Sequence, residues 1–249
     1  MRVPALVPIL LFATGAQADT LLTIQARLET SPPPPVAVST ETEMQLWVGD
    51  HRMREDSPGL STVIRRFDRG KLYFLDHRTK TYAEVDLPFD PLAGKPTTAG
   101  DSARERGQKA RVTVTLTDEK RRIGAWNTRK VVVVSHDPGG DFTAEKWMST
   151  EVGVDEGTLN QWLAKAVVPP PGSLTPEVLE SQRQLDAIPG YPVLEETRSS
   201  RGPGETEFRW HKELVSAETK EPPAGLYDPP AGYRKVKVDQ INMAPAGKP

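Results

Sequence analysis

The sequence predicts an α+β fold, in which a curved antiparallel sheet carries helices on one face. Three observations predict it. Apolar residues recur with a period of two along most of the chain, turn-forming residues separate these runs by a few positions, and a helical period occurs in one late region. Separations this short are typical of hairpins, so we expect consecutive strands to pair as a meander.

The candidate strands are recognised by alternation of apolar and polar residues. Val112, Val114 and Leu116 alternate with threonines, which is the clearest pattern of a half-buried strand. The run at 131–134 contains only valines, which favours a strand covered on both faces. Further candidate strands lie at residues 21–28, 43–48, 62–67, 71–76, 81–87, 142–149, 192–197 and 206–215. Turn residues predict hairpin ends at 68–70, 77–80, 118–121, 137–140 and 202–204.

The first predicted helix follows residue 157. Leu159, Trp162 and Leu163 begin an apolar stripe of helical period that continues to residues 166 and 167. Thr158, with Gln161 three positions later, has the form of a capping box. The prolines at 169–171 end this helix, since proline cannot continue it.

The second predicted helix lies between residues 175 and 189. Thr175 is a suitable N-cap, and Pro176 suits the first helical position because its missing N–H would be unpaired there anyway. Pro189 ends the helix. Both helices together predict a helical insertion at about residues 155–189.

Composition excludes several classes of function. The chain has 249 residues, with 32 Lys and Arg against 34 Asp and Glu, and no Cys. A balanced charge does not favour phosphate backbones, so we expect no nucleic acid partner. Without cysteine the chain has no disulfide, thiolate nucleophile, lipidated cysteine or Cys-based zinc site. The 24 prolines indicate long turns and loops.

The N-terminus has the pattern of a cleavable signal peptide. Arg2 precedes a short apolar run, and the small residues Ala16 and Ala18 flank Gln17 as in a cleavage site. We therefore expect cleavage near Ala18/Asp19 and a periplasmic protein without a transmembrane segment. A buried N-terminal helix is the alternative. The predicted layout is a signal peptide at 1–18, one domain at 19–240 and a disordered tail at 241–249.

The usual catalytic motifs are missing from the sequence. It contains no Gly-x-Ser-x-Gly, phosphate-binding loop, dinucleotide fingerprint or His-Glu-x-x-His. The histidines are isolated in sequence, at His51, His77, His136 and His211. We expect no catalysis, no cofactor and no metal. An enzyme would require two or more of these histidines to converge with carboxylates in a cleft.

The aromatic residues fall mostly on predicted strands and on the first helix. Packing in the core explains any one of them. The functional alternative is a sheet that curls around an apolar cavity, with the first helix as its lid. On that interpretation the residues predicted to line the cavity are Trp47, Val114, Leu116, Trp147, Leu159, Trp162 and Leu163.

An ordered set of segments resembles a known group of proteins. The segments are EMQLWVGDHRMR (43–54), IRRFDRGKLYFLD (64–76), KTYAEVDLP (80–88), IGAWNT (123–128), EKWM (145–148), GYPVL (190–194) and PAGLYDPPAGYRK (223–235). Their order over about residues 20–236 resembles a family of exported bacterial proteins that looks related to the periplasmic lipoprotein carriers of the Lol type. Each segment alone is weakly specific, and the ordered set is more so.

The resemblance implies a LolA/LolB-like fold: a strongly curved antiparallel half-barrel with helices packed on its concave, apolar face. Carriers of that fold hold the acyl chains of lipoproteins against this face. A position often occupied by cysteine in the family is Thr128 here, so the resemblance implies no redox role. Fold alone does not determine function.

Two functions outside enzymology therefore stand as expectations. The first is a periplasmic binding module or carrier for an apolar or amphiphilic ligand, such as a lipid or a lipoprotein acyl chain. The second is an envelope structural or interaction protein whose core is filled and whose Pro-rich loops and tail contact a protein partner. The presence of an apolar cavity distinguishes the first from the second.

Overall fold

The predicted strands form one large sheet. The computed structural model describes residues 18–31, 40–57, 59–91, 111–137, 140–169, 174–200 and 207–241. Within these ranges the sheet has 12 strands: β1 (Asp19–Ser31), β2 (Thr40–Gly49), β3 (Arg52–Ser57), β4 (Ser61–Arg66), β5 (Lys71–Asp76), β6 (Thr81–Asp86), β7 (Arg111–Ile123), β8 (Trp126–Asp137), β9 (Gly140–Ser149), β10 (Tyr191–Ser200), β11 (Glu207–Lys220) and β12 (Arg234–Lys235).

The order of the strands is mostly that of a meander. Across the sheet it is β12-β6-β5-β4-β3-β2-β1-β11-β10-β9-β8-β7, and neighbours are antiparallel except for the parallel pair β12 and β6. The N-terminal strand β1 pairs with β2 on one side and with β11 on the other. Among the described strands the sheet is not closed, since β12 and β7 are its two edges.

Two helices lie between β9 and β10. They are α1 (Glu156–Ala166) and α2 (Pro176–Asp186), with a short 3-10 helix at Thr150–Val152 before them. The cap of α2 is as predicted: Thr175 accepts a hydrogen bond from the Val178 amide, and Pro176 opens the helix. The predicted cap of α1 is wrong, because Asp155 is the N-cap and accepts from the Thr158 amide at 2.9 Å. An aspartate at the N-cap stabilises the helix, because its carboxylate accepts a hydrogen bond from a free amide and lies at the positive end of the helix dipole.

Of the predicted turns that the structure describes throughout, two are confirmed and one is wrong. Turns occur at 67–70 and 77–80, as predicted. The predicted turn at 118–121 is wrong: these residues belong to β7, which is irregular between Leu116 and Lys120. The chain reverses instead at Gly124 and Ala125, where Gly124 has a φ of 55°, a conformation that glycine adopts without steric cost.

The two faces of the sheet have different coverings. Successive strand residues point to opposite faces. One face, here called the helix face, carries α1 and α2; Ser181 of α2 donates to the Val112 carbonyl at 3.1 Å. On the other face, here called the opposite face, part of residues 221–241, the C-terminal segment, packs over β1, β2, β4 and β5, while its strand β12 extends the edge of the sheet. Tyr227 of this segment packs into a buried apolar cluster with Leu21, Trp47, Ile64, Tyr73 and Leu75.

Several predicted features lie outside the described residues. These are residues 1–17 of the predicted signal peptide, the centre of the predicted turn at 137–140, the predicted turn at 202–204, and residues 242–249 of the predicted tail. In the part of the chain that the structure describes, no helix combines the length and apolarity needed to cross a membrane.

Candidate functional site

An apolar cavity lies between the helix face and α1. Its volume is about 260 Å³. The strands β1–β4, β10 and β11 contribute its floor, and α1 contributes its roof. The apolar lining consists of Ile24, Met44, Leu46, Met53, Leu159, Leu163, Pro192 and Leu214, with the ring of Tyr191 beside them.

Local sequence patterns place these side chains on one surface. Met44 and Leu46 are two positions apart on β2 and therefore share a face, and Met44 is the register partner of Ile24 on β1. Leu159 and Leu163 are four positions apart on α1 and therefore share a helix face. The alternation along the strands thus places the apolar side chains of the floor, and the four-residue spacing along α1 places those of the roof.

The approach of α1 to α2 depends on a glycine. A Cβ on Gly157 would clash with the carbonyl oxygen of Asp186. Across the same contact, Asn160 donates to the Asp186 carboxylate at 3.0 Å. Because residue 157 has no side chain, the two helices can pack closely, and this contact fixes α1 above the cavity.

The far end of α1 is fixed to two turns and to Phe89, which forms an isolated bridge with Val167 just after the helix. The ring of Trp162 lies 5.4 Å from that of His51 and 5.7 Å from that of Phe67, which belong to two turns. The Phe89 amide donates to the Ala166 carbonyl at 2.8 Å, and the Val168 amide donates to the Phe89 carbonyl at 2.8 Å. Aromatic pairs of this kind contribute about 0.5–1.5 kcal/mol beyond burial. The roof of the cavity is therefore held at both ends.

Charged side chains also reach the cavity. Glu55 is paired with Arg65 at 3.2 Å, and Glu156 is paired with Lys146 at 2.6 Å. The second carboxylate oxygen of Glu156 is buried and has no hydrogen-bond partner in the described part of the chain. A buried polar atom without a partner costs about 1–3 kcal/mol, so a bound donor there would be favourable.

Tyr191 brings a neutral polar group to the cavity. Burial raises the pKa of its hydroxyl, and the nearby carboxylates of Glu156, Glu195 and Glu55 raise it further. The phenol is therefore uncharged at neutral pH and can donate or accept a hydrogen bond. Its ring belongs to the apolar lining, so one residue provides both kinds of contact.

Glu195 and Lys212 differ from the other charges around the cavity. They are register partners on β10 and β11, yet no ion pair within 4.0 Å involves either of them among the described residues. Glu195 accepts from the Thr197 hydroxyl at 3.2 Å, and the Lys212 ammonium lies 5.8 Å from the centroid of the Trp210 ring. Both residues also line a second space further along the helix face.

That second space is an open groove of about 340 Å³. Its floor is Thr197 and Ser199 of β10; Phe142 of β9 stands on one side, and Phe208 and Trp210 of β11 stand on the other. The exposed fraction is 36% for Phe142 and 47% for Trp210, values high for large aromatic side chains. The groove and the cavity are contiguous, because Glu195 and Lys212 belong to both.

No protein-family model matches this chain, and no curated protein is significantly similar to it. The function must therefore be inferred from the cavity, the groove and the residues that line them. Fold and site chemistry are separate questions, and only the second bears on the ligand.

Of the seven residues predicted to line a cavity, the structure brings two to this one. Leu159 and Leu163 lie on its wall. Trp162, on the same helix, contacts His51 and Phe67 instead. Successive residues of a helix differ in direction by about 100°, so Trp162 does not share the direction of Leu163. Its ring points to the side of α1 that contacts the turns.

Trp47 and Trp147 lie on the opposite face. Trp47 is the register partner of Leu21 and packs with Tyr227 under the C-terminal segment. Trp147 lies between Lys146 and Met148, and the guanidinium of Arg121 lies 3.8 Å from the centroid of its ring. The residues before and after each tryptophan are apolar or, like Lys146, have a long apolar stem. At these positions the alternation of apolar and polar residues therefore does not show which face of the sheet each tryptophan occupies.

Val114 and Leu116 lie on the helix face but away from the cavity. Val114 packs against the cluster of Val131, Val133 and Ile188 that α2 covers. Leu116 is 42% exposed and lines a separate surface pocket near the β7–β8 hairpin. The sheet is wide, so residues on one face need not share one cavity.

Sequence reasoning missed the polar members of the site. Tyr191, Glu195 and Lys212 lie on strands that the sequence predicts, but neither their face nor their proximity follows from local pattern. The alternation of Met44 and Leu46 was a usable signal for the floor of the cavity. Because Trp47 is one position after Leu46, the same alternation places Trp47 on the opposite face, away from the cavity.

The four histidines have separate partners. His51 contacts Trp162, and His77 shares hydrogen bonds of 2.7 Å with Thr62 and with Tyr233. His136 is 2.7 Å from the Asp141 carboxylate, and His211 is near Glu196 and Glu213. Within the described residues, no group of three or more His, Asp or Glu side chains is arranged to hold a metal ion.

Proposed function

We propose that this protein is a non-catalytic binding module or carrier for an apolar or amphiphilic ligand, such as a lipid or a lipoprotein acyl chain. The observation that carries the proposal is the apolar cavity between the helix face and α1. Such a cavity, lined by aliphatic side chains with a few polar groups, has the composition of a ligand site.

The size of the cavity favours a single chain. Ligand sites usually measure about 300–1,000 Å³, so 260 Å³ is just below that range. Each methylene transferred from water contributes about 0.8 kcal/mol. A longer chain would enter by displacing α1, whose Leu159 is 5% exposed and opposes that movement by roughly 1.5–3 kcal/mol. We propose that α1 acts as a lid in this sense.

We also propose that the sheet bends as the half-barrel that the resemblance to lipoprotein carriers implies. Six adjacent strands, β4-β3-β2-β1-β11-β10, contribute residues to one cavity. Strands are spaced by about 4.8 Å, so six of them extend over about 24 Å if the sheet is flat. A sphere with the volume of the cavity is about 8 Å across. A bent sheet would bring side chains from six strands around one small cavity, and this convergence supports the proposed form.

Export to the periplasm is part of the proposal. Its support is that β1 begins at Asp19, the first residue after the predicted cleavage position, and that the Asp19 side chain is buried. Cleavage at that position would leave every described strand intact. The ligand would then be a component of the envelope.

The experiment is native mass spectrometry of the full chain after expression and purification from periplasm without detergent, followed by organic extraction. We expect an adduct that the extraction identifies as a lipid. Leu163→Glu, which places a charge in the cavity, should remove it. Leu179→Glu is the matched control, because Leu179 is an exposed residue of α2 that does not line the cavity.

A thermal melt of each variant separates loss of binding from loss of folding. Leu163→Trp gives a second measurement, since it fills the cavity without charging it and should also remove the adduct. Wild-type protein is then titrated with dodecyl maltoside below its critical micelle concentration. A clean mass together with no binding of this detergent would overturn the proposal and favour an envelope interaction protein without a ligand.

A further inference from the structure

We propose that the amphiphile has a zwitterionic head, with an ammonium group held in the aromatic groove beside Glu195 and an anionic group held by Lys212. This inference rests on the proposed function, because the chain of the same ligand would occupy the cavity under α1. It adds the chemical class of the head group and the place where it binds.

The groove has walls suited to an organic cation. Phe142 is the register partner of Ser199, and Ser199 is the register partner of Phe208, so the two aromatic walls stand on β9 and β11 with β10 between them. Two strand spacings give a width of about 10 Å between the walls at the backbone. A methylated or free ammonium group is attracted to aromatic faces, most strongly to that of tryptophan.

The charges at the junction match both signs of a zwitterion. Glu195 and Lys212 line both the groove and the cavity, and neither takes part in an ion pair within the described residues. By contrast, Glu55 and Glu156, which also line the cavity, are already paired with Arg65 and Lys146. One carboxylate and one ammonium therefore stay available at the point where the head of a bound amphiphile would lie.

A head group with a single charge fits less well. An anionic head at Lys212 would also lie near Glu195, and a cationic head at Glu195 would lie near Lys212, because the two residues are opposite each other in the register. Like charges brought together in a partly buried site are unfavourable. A zwitterion satisfies both residues at once: its anionic group meets Lys212, and its ammonium group meets Glu195 and the aromatic walls of the groove.

The test compares head groups on one chain length. Full-length protein is titrated by calorimetry with dodecylphosphocholine, dodecyl phosphate, dodecyltrimethylammonium and dodecyl maltoside, each below its critical micelle concentration, and with phosphocholine alone. We expect dodecylphosphocholine to bind roughly tenfold more tightly than the other three detergents, given the usual strength of charge-assisted contacts. Phosphocholine alone should bind much more weakly than dodecylphosphocholine.

Variants assign the preference to the proposed residues. Glu195→Gln, Lys212→Gln and Trp210→Ala should each lower the preference for dodecylphosphocholine over dodecyl maltoside, the ratio of the two affinities, by about 3–30-fold. Lys212→Arg should retain the preference. Controls on the opposite face or far along β11 are Glu213→Gln and Lys220→Gln, which should change nothing.

The outcomes separate this inference from the proposed function. If dodecyl maltoside binds and all four heads bind equally, the zwitterionic site is overturned and the apolar cavity stands. Preference for dodecyl phosphate, or equal loss of all detergents in the three variants, overturns it as well. If no detergent binds to wild-type protein, both proposals fall. Equal binding of phosphocholine and dodecylphosphocholine would also overturn this inference, because the head group would then bind without the chain in the cavity.

Discussion

The hydroxyl of Tyr227 donates a hydrogen bond of 2.6 Å to the carboxylate of Asp19, a residue 208 positions earlier. Asp19 opens β1 and is 1% exposed. Arg52 binds the other carboxylate oxygen at 3.1 Å, and its guanidinium lies 4.6 Å from the centroid of the Tyr227 ring. The two ends of the described chain are therefore joined at one buried polar contact.

Removing that hydroxyl should destabilise the protein. We expect Tyr227→Phe to lower the free energy of unfolding by about 1–3 kcal/mol, because a buried carboxylate oxygen loses its partner. Urea denaturation measures the change. Tyr82→Phe is the control: Tyr82 packs against the same apolar cluster, and no hydrogen bond of its hydroxyl is found within the described residues. Equal effects of the two substitutions would contradict the prediction.

Closing the space between the helices should also destabilise it. Gly157→Ala would bring a methyl group against the Asp186 carbonyl, so α1 and α2 must separate. We expect a loss of about 1–3 kcal/mol in the free energy of unfolding, the usual effect of overpacking. Gln161→Ala, an exposed position on the same helix, should be neutral or slightly stabilising. The prediction is wrong if Gly157→Ala is as stable as Gln161→Ala.

The contact of Trp162 with the two turns should control the mobility of α1. We expect Trp162→Ala to increase hydrogen exchange of the α1 amides by roughly 2–10-fold, since an aromatic contact worth about 0.5–1.5 kcal/mol is lost. Mass spectrometry of peptides from residues 156–166 measures it. Leu179→Ala on α2 serves as the comparison. Unchanged exchange in α1 would mean that Phe89 alone holds this end.

Alkaline pH should destabilise the folded state. Burial raises the pKa of Tyr73, Tyr191 and Tyr227, and carboxylates near each of them raise it further. The unfolded chain loses these protons near pH 10, while the folded chain retains them. Stability is therefore complete below about pH 10 and falls as the pH rises above it.

The measurement is the free energy of unfolding between about pH 8 and pH 11, with tyrosinate absorbance followed in parallel. Tyr191→Phe should reduce the decline because it removes one of the titrating groups. Tyr82→Phe is again the comparison. A decline identical in wild type and Tyr191→Phe would exclude Tyr191 as a contributor.

Processing at the predicted position should give a chain that starts at Asp19. Intact-mass analysis of protein recovered from periplasm tests this directly. Ala18→Arg, which removes the small residue before the cut, should leave the longer precursor in the membrane fraction. Ala13→Ser is a control within the apolar run. If the mature chain began more than one or two residues after Asp19, it would lack the start of β1, and the prediction would be wrong.

Much of the sheet could be predicted because strand and turn signals are local. The predicted strand at 71–76 coincides with β5, and the cap and first turn of α2 are as expected from Thr175 and Pro176. At residues 118–122 the signal misled, because a dense run of charges is typical both of a hairpin tip and of the exposed strand found there. Composition does not distinguish the two.

The cavity was harder to predict because it depends on register. Leu21 and Leu22 are both buried on opposite faces, so the burial of apolar residues along β1 does not by itself indicate which face lies over the cavity. On the partner strand β11, a bulge at Val215 shifts the register between Leu214 and Ser216. Trp47 has apolar neighbours on both sides, and its face is decided by pairing with Leu21 and by Tyr227 far along the chain. No short window of sequence contains that information.

The pairing of β1 with β11 has a consequence for the order of assembly. Strands β2–β6 and β7–β10 form two groups of local hairpins, and in the sheet these groups meet only through β1 and β11. Residues near 220 must therefore emerge before the first strand has both neighbours. Contacts between such distant segments slow folding, so a nascent chain stays open until its synthesis is almost finished. In the proposed export to the periplasm, that delay would keep the chain unfolded while it crosses the membrane.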